Sequence, residues 1–287
     1  MRVFPNRLLF VLVLTAVNLL IACTKSSPES GNRNTPQPVP IKTTDNKVHT
    51  IGNYQPSDGK FLLRLSNSTG AADLVFSLGP TGSNLWPISG DWDGDSIDTV
   101  GLYDPKKSVW YLKNSNTDGV ADITFSFGAP GQKLLPITGD WDGDGKDTVG
   151  LYDPAKGNWF LKASNSDGVA DIVFSFGPIG QNLSPIAGDW DGDGKDSVGL
   201  YDSKTGNWFL KNSNSDGIAD TVFSFGPAGQ NLYPIAGNWS NNAKYSVGLY
   251  DSAKGSWFIK NANSGGMADT TFAFGVIGAR AIVGHWK

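Results

Sequence analysis

The chain has 287 residues, 36 of them glycine, with 11% aromatic and 39% hydrophobic residues and a net charge of −4. Such a composition points to many short strands joined by tight turns; the glycines lack a three-residue period, which excludes collagen, and the hydrophobic content excludes a disordered chain. The acidic balance argues against a nucleic-acid partner, and the single cysteine excludes a disulfide framework and a cysteine-based zinc site.

Residues 1–22 are expected to be an export signal. Arg2 and Arg7 precede Leu8–Ala22, a mostly apolar run of 15 residues, shorter than the roughly 20 that a membrane span requires. The run ends in Leu20-Ile21-Ala22-Cys23, which resembles the bacterial lipobox. That resemblance implies that Cys23 becomes the first mature residue and carries a lipid, making the membrane a partner; an ordinary signal peptide with a chance cysteine is the alternative. Thr24 follows instead of the Asp that marks inner-membrane retention, so the outer membrane is favoured. Residues 23–48 hold Pro28, Pro36, Pro38 and Pro40 among Ser, Thr, Asn and Lys, with no hydrophobic period, which predicts a tether.

Residues 49–287 are repetitive. Gly-Asp-Trp-Asp-Gly-Asp begins at Gly90, Gly139 and Gly188, a period of 49 residues, with a worn copy at Gly237. Residues 139–187 and 188–236 agree at 40 of 49 positions. Val-Gly-Leu-Tyr-Asp starts at Val100, Val149, Val198 and Val247, and a relative of it starts at Ile51, so the copies number five. Within a copy the apolar period is two: Ile123, Phe125 and Phe127 alternate with Thr124 and Ser126, and Trp159 and Leu161 alternate with Phe160 and Lys162. Four short strands per copy is the size of a propeller blade, and a blade cannot bury both faces alone.

The expected fold is therefore all-β: a five-bladed β-propeller of five ~49-residue repeats, four strands per blade. The last strand, Ala281–Trp286, is expected to pair with Ile51–Tyr54 and close the ring. Ser89, Thr138, Ala187, Ala236 and Val283, each followed by glycine, are the small residues expected nearest a crowded axis. An open solenoid is the alternative, and it would need capping ends.

The turns rich in Asp place carboxylates at positions 1, 3 and 5: Asp91, Asp93 and Asp95; Asp140, Asp142 and Asp144; Asp189, Asp191 and Asp193. Calcium takes six to eight oxygens, and this alternation aims three carboxylates at one point, giving up to three sites. An EF-hand is excluded, because position 12 is Leu151 and the flanks are strands. The pattern resembles the FG-GAP and VCBS-type repeats of extracellular propellers, which implies calcium-holding hairpin loops across residues 50–287. Those repeats commonly carry Asp at position 9; here the acid stands one place earlier, at Asp98, Asp147 and Asp196, which are grouped with the turns as candidate ligands. A plain Asp–Gly turn, its carboxylates bonded to backbone amides, is the competing reading. Asn238, Ser240 and Asn242 lack charge, so no ion is expected in the fourth copy. A second set, Asn114, Asn116, Asp118 and Asp122 with its partial copies, is read as turn-forming, since only Asp73, Asp122, Asp171, Asp220 and Asp269 persist throughout.

No catalytic set emerges: His49 and His285 do not recur, and the acids are repeated copies, so the chain is expected not to be an enzyme. The expected role is a calcium-stabilised, lipid-anchored binding module of the cell envelope for a carbohydrate or protein ligand. A glycoside-active propeller and a purely structural surface protein are the alternatives. Trp110, Trp159, Trp208 and Trp257 recur at one position and are read as core in preference to sugar platforms. Trp86 and Tyr233 vary between copies and are expected to face outward.

Overall fold

The structure, a computed structural model, describes residues 48–287. The expected signal peptide, Cys23 and the tether up to residue 47 lie outside the described residues.

Tight turns cut each copy into short strands; Gly157, for instance, takes a φ of 71° in the turn between two of them. The first copy supplies β1 (Thr50–Gln55), β2 (Lys60–Leu63) and β3 (Leu74–Ser77). The second gives β4 (Trp86–Gly90), β5 (Thr99–Asp104), β6 (Val109–Leu112) and β7 (Ile123–Ser126). The third gives β8 (Leu135–Gly139), β9 (Thr148–Asp153), β10 (Asn158–Leu161) and β11 (Ile172–Ser175). The fourth gives β12 (Ser184–Gly188), β13 (Ser197–Asp202), β14 (Asn207–Leu210) and β15 (Thr221–Ser224). The fifth gives β16 (Tyr233–Gly237), β17 (Ser246–Asp251), β18 (Ser256–Ile259) and β19 (Thr270–Ala273), and β20 (Arg280–Gly284) follows. No helix occurs among the described residues.

These strands form five antiparallel four-stranded sheets, and β4, β8, β12, β16 and β20 adjoin one another in a cycle around the axis. The fold is a five-bladed β-propeller. β20 pairs with β1, from Thr50 opposite Gly284 to Tyr54 opposite Arg280, so strands from opposite ends of the described chain close the ring. Ser89, Thr138, Ala187, Ala236 and Val283 line the central channel. The Ser89 hydroxyl donates to Val283 O at 2.7 Å and that of Thr138 to Ser89 O at 2.8 Å, joining neighbouring inner strands.

The hydrophobic cores lie between blades. Trp110, Leu112, Phe125 and Phe127 of the second blade pack with Val149 and Leu151 of the third, and Trp257 and Ile259 of the fifth pack with Ile51 of the first. Trp110, Trp159, Trp208 and Trp257 are fully buried, as the core reading requires. Trp159 faces Tyr152 and Phe174 across the sheet, with ring centroids 4.4 and 6.1 Å away, and its indole N–H donates to Phe176 O at 2.9 Å. Phe61 fills the tryptophan position in the first blade, 4.7 Å from Tyr54 and 5.6 Å from Phe76.

Four of the five junctions are keyed by a leucine set against a glycine of the preceding blade. A Cβ on Gly79 would stand 2.6 Å from Leu102 Cδ1, and one on Gly128 would stand 2.6 Å from Leu151 Cδ1; Gly177 with Leu200 and Gly226 with Leu249 repeat the arrangement. At the fifth junction Asn53 occupies the leucine position against Gly275. Asn53 is fully buried beside the Tyr250 hydroxyl, and neither its Oδ1 nor its Nδ2 makes a hydrogen bond of good geometry. An unsatisfied buried polar group costs roughly 1–3 kcal/mol. Asn53→Leu is therefore expected to stabilise the fold and raise the melting temperature by several degrees in scanning calorimetry; an unchanged or lower Tm would refute this account of the closing junction.

Candidate functional site

Three Asp-rich turns sit on one side of the ring, where the innermost strands β4, β8 and β12 meet β5, β9 and β13. In the second of these turns Asp140 Oδ1 accepts the Gly143 and Asp144 amides at 2.7 and 3.1 Å, and Oδ2 accepts the Gly145 amide at 2.9 Å. Asp91 and Asp189 bind their own turns in the same way. In each triplet the three residues offer ligand oxygens within 4.8 Å of one another. Asp93, Asp95, Asp142, Asp144, Asp191 and Asp193 are exposed and form no ion pair among the described residues, although the side chains of Lys146, Lys195 and Lys244 lie over Gly94, Gly143 and Gly192 of the same three turns. Both readings of the turns are thus physically present: the first Asp organises the loop through amides, and the triplet can hold a metal ion. Ser96, in the glycine place of the first turn, takes a φ of 79°.

Asp98, Asp147 and Asp196 do not join these triplets, which corrects the sequence grouping. They line the central channel with His49 and Tyr245, five residues spaced at the repeat of 49. Each stands immediately before β5, β9 or β13 and bonds across the blade boundary. Asp147 donates its amide to Asp91 O at 2.7 Å, and its Oδ2 accepts the Asp91 amide at 2.8 Å. Asp196 clasps Asp140 in the same manner, at 2.8 and 3.0 Å, and Asp98 clasps His285, at 2.7 Å for both bonds. Asn67, Asn116, Asn165, Asn214 and Asn263 hold the carbonyls of these five axial residues with their side-chain amides. The Tyr245 hydroxyl lies 3.2 Å from His49 Nε2, which is 3.9 Å from Asp98 Oδ2. Burial raises the Asp147 carboxyl well above the usual range, with repulsion from Asp98 and Asp196 adding to it. Burial likewise pushes Asp196 up to about 8. The space these groups line is about 200 Å³, below the ~300–1,000 Å³ of small-molecule pockets. The sequence reading weighs His49 only as a catalytic candidate and does not join it or Tyr245 to the axial set, because their residue types differ from Asp; the spacing of 49 is the available signal.

The second set of polar residues satisfies the backbone, as its turn reading requires. Asp122 Oδ2 accepts the Asn114 amide at 2.8 Å and stands 3.7 Å from the buried Lys113 Nζ, and Asp171 and Asp269 repeat both contacts. Asp118 Oδ1 reaches to the preceding blade and accepts the Ser77 amide at 2.8 Å on its outermost strand.

The opposite mouth of the channel breaks the symmetry. The first residues of the innermost strands β4, β8, β12, β16 and β20 are Trp86, Leu135, Ser184, Tyr233 and Arg280, five different side chains at one level. Pro87, Pro136, Pro185 and Pro234 follow four of them, so the frame is repeated while the rim varies. Together with Lys133 and Asn182 they line a cavity of about 450 Å³. Tyr233 is 44% exposed, as expected, whereas Trp86 is half-buried with the Arg280 guanidinium 4.9 Å above its ring. A larger cleft of about 820 Å³ lies between the first and second blades, where Leu78 replaces the Phe of the other copies; Tyr111, Asn84, Asp104 and Lys106 are on its walls. Comparison with protein-family models and with curated proteins finds no match to this chain.

A carboxyl whose pKa is higher in the folded than in the unfolded chain supports the fold at low pH, and that support is lost as pH rises through the folded value. Asp196, raised to about 8, has this sign. Asp196→Asn keeps an oxygen for the Asp140 amide and removes the charge. The variant is expected to melt above wild type at neutral pH in chelator, with the gain vanishing toward about pH 4, near the ordinary carboxylate pKa. Thermal melts across pH check it; a gain that persists in acid would contradict the assignment.

Proposed function

We propose that this chain is a non-catalytic binding module of the cell envelope, anchored through Cys23, stabilised by calcium in its three Asp triplets, and holding a saccharide at the channel mouth of Trp86, Tyr233 and Arg280. The observation that carries the reading is the rim itself. Repeats, two of which agree at 40 of 49 positions, place five different side chains where one ligand can touch every blade. A mixed rim with an exposed aromatic ring suits a sugar, whose apolar face stacks on Tyr233 while its hydroxyls meet Ser184 and Asn182. No Asp or Glu among the described residues lines that cavity, so no carboxylate pair of the kind glycoside hydrolysis uses is among its described walls. The lipobox-like Leu20-Ile21-Ala22-Cys23 supports lipid anchoring, with Thr24 in favour of the outer membrane, and fatty-acid labelling lost in Cys23→Ala reports the anchor.

Glycan-array binding by the purified protein tests the main reading. Tyr233→Ala is expected to abolish the signal while the fold melts as before; binding that survives Tyr233→Ala, and is lost when Tyr111 in the larger cleft is changed, would move the site there.

Calcium is supported by three triplets whose carboxylates converge within 4.8 Å of one another. Exported modules bind calcium at ~0.1–1 mM. With about 2 mM free ion and a Kd of ~0.1 mM, each independent site stabilises the fold by roughly 1.8 kcal/mol. Calcium is expected to raise the Tm of chelator-treated protein, and Asp142→Ala to remove one site of three in calorimetric titration. Absence of heat and of any Tm change would leave the triplets as turns.

A further inference from the structure

The rim of the saccharide mouth carries a charge pattern that narrows the ligand. Arg280 lies between Tyr233 and Trp86 in the ring order of the inner strands. One of its N–H groups is engaged: Nη1 donates to Leu85 O at 2.6 Å. Trp86 beneath the guanidinium and this carbonyl hold the side chain in one place, half-buried, with burial lowering its pKa. Arg280 forms no ion pair with any described residue, and its remaining donors have no acceptor among them. Arg64, Lys113, Lys162 and Lys260, by contrast, are each set beside an aspartate. Lys133, exposed on the same cavity wall, likewise has no counter-ion among the described residues, and none of their acids lines the cavity. A planar guanidinium with free donors in a partly dry site is matched to a carboxylate, which it meets through two parallel hydrogen bonds.

We propose that the ligand of this mouth is an acidic saccharide, one whose ring carries a carboxylate: the sugar face stacks on Tyr233, the carboxylate sits on the Arg280 fork, and Lys133 adds attraction from the rim. This rests on the saccharide reading above and specifies its chemical class. The channel then has acids at one mouth, Asp98, Asp147 and Asp196, and the Arg280–Lys133 pair at the other.

The test titrates the full protein with uronate and sialate oligosaccharides, each beside its carboxyl-reduced neutral counterpart, by calorimetry at low and high salt. At least one acidic member is expected to bind, with its neutral counterpart weaker by about tenfold or more and with affinity falling as salt rises. Arg280→Gln should remove that preference. Lys133→Gln, an exposed change that leaves the fold intact, should weaken binding of the acidic form alone, and serves if Arg280→Gln does not fold. Equal binding of acidic and neutral glycans, or a preference unchanged in both variants, overturns the acidic class and leaves the saccharide reading standing. Binding of neither kind of glycan overturns both.

Discussion

Everything in this fold depends on the burial of two apolar faces per blade, which no blade achieves alone. The five cores sit at the junctions, each joining the aromatic layer of one blade to the Val–Leu pair, or its equivalent, of the next. Water is excluded from a given face only if the neighbour is present, so the ring has to close. That is why the β20–β1 pairing matters beyond its own hydrogen bonds: it completes a sheet whose faces are needed by the second and fifth blades. The junctions are also geometrically specific, since a leucine seats where a glycine leaves room. Asn53 is the exception, at the junction where the ring closes.

The polar residues of the repeat are organised by the same geometry. Strand ends and turns expose amides that packing would otherwise strand, and aspartates take them up within a turn, as Asp140 does, or across a boundary, as Asp118 and Asp147 do. The axial carboxylates follow from this. Each is brought to the channel by its bonds to the neighbouring blade, and five-fold repetition then crowds like charges around one axis. Two of the five positions hold His49 and Tyr245 instead of Asp, so the accumulation is smaller than strict repetition would give.

A nearly repeated scaffold also shows where its equivalence ends. Packing demands hold most positions alike from copy to copy, because each aromatic must fit the same space. The first residue of the innermost strand carries no such demand, lying at the open end of the channel, and there the five copies differ. A ligand on the axis meets all five residues at once, which lets a chain of near-identical units present an unsymmetrical site.

The period-two alternation, the 49-residue repeat and the count of five for every strand type were sufficient for the blade, the number of blades and the closing strand, because local alternation and strand counting survive without coordinates. The burial of Trp159 and its equivalents and the exposure of Tyr233 were legible for the same reason. The roles of the acids were not. Asp147 is three residues from Asp144 in sequence, yet a turn of the backbone sends one toward solvent and the other into the channel against Asp91 of the neighbouring blade. Likewise Trp86, Tyr233 and Arg280 are scattered over nearly 200 residues, and Arg280 is two positions out of step with the repeat. Only closure of the ring brings them to one rim, because adjacency between blades is a property of the packed ring and has no signature in any single copy.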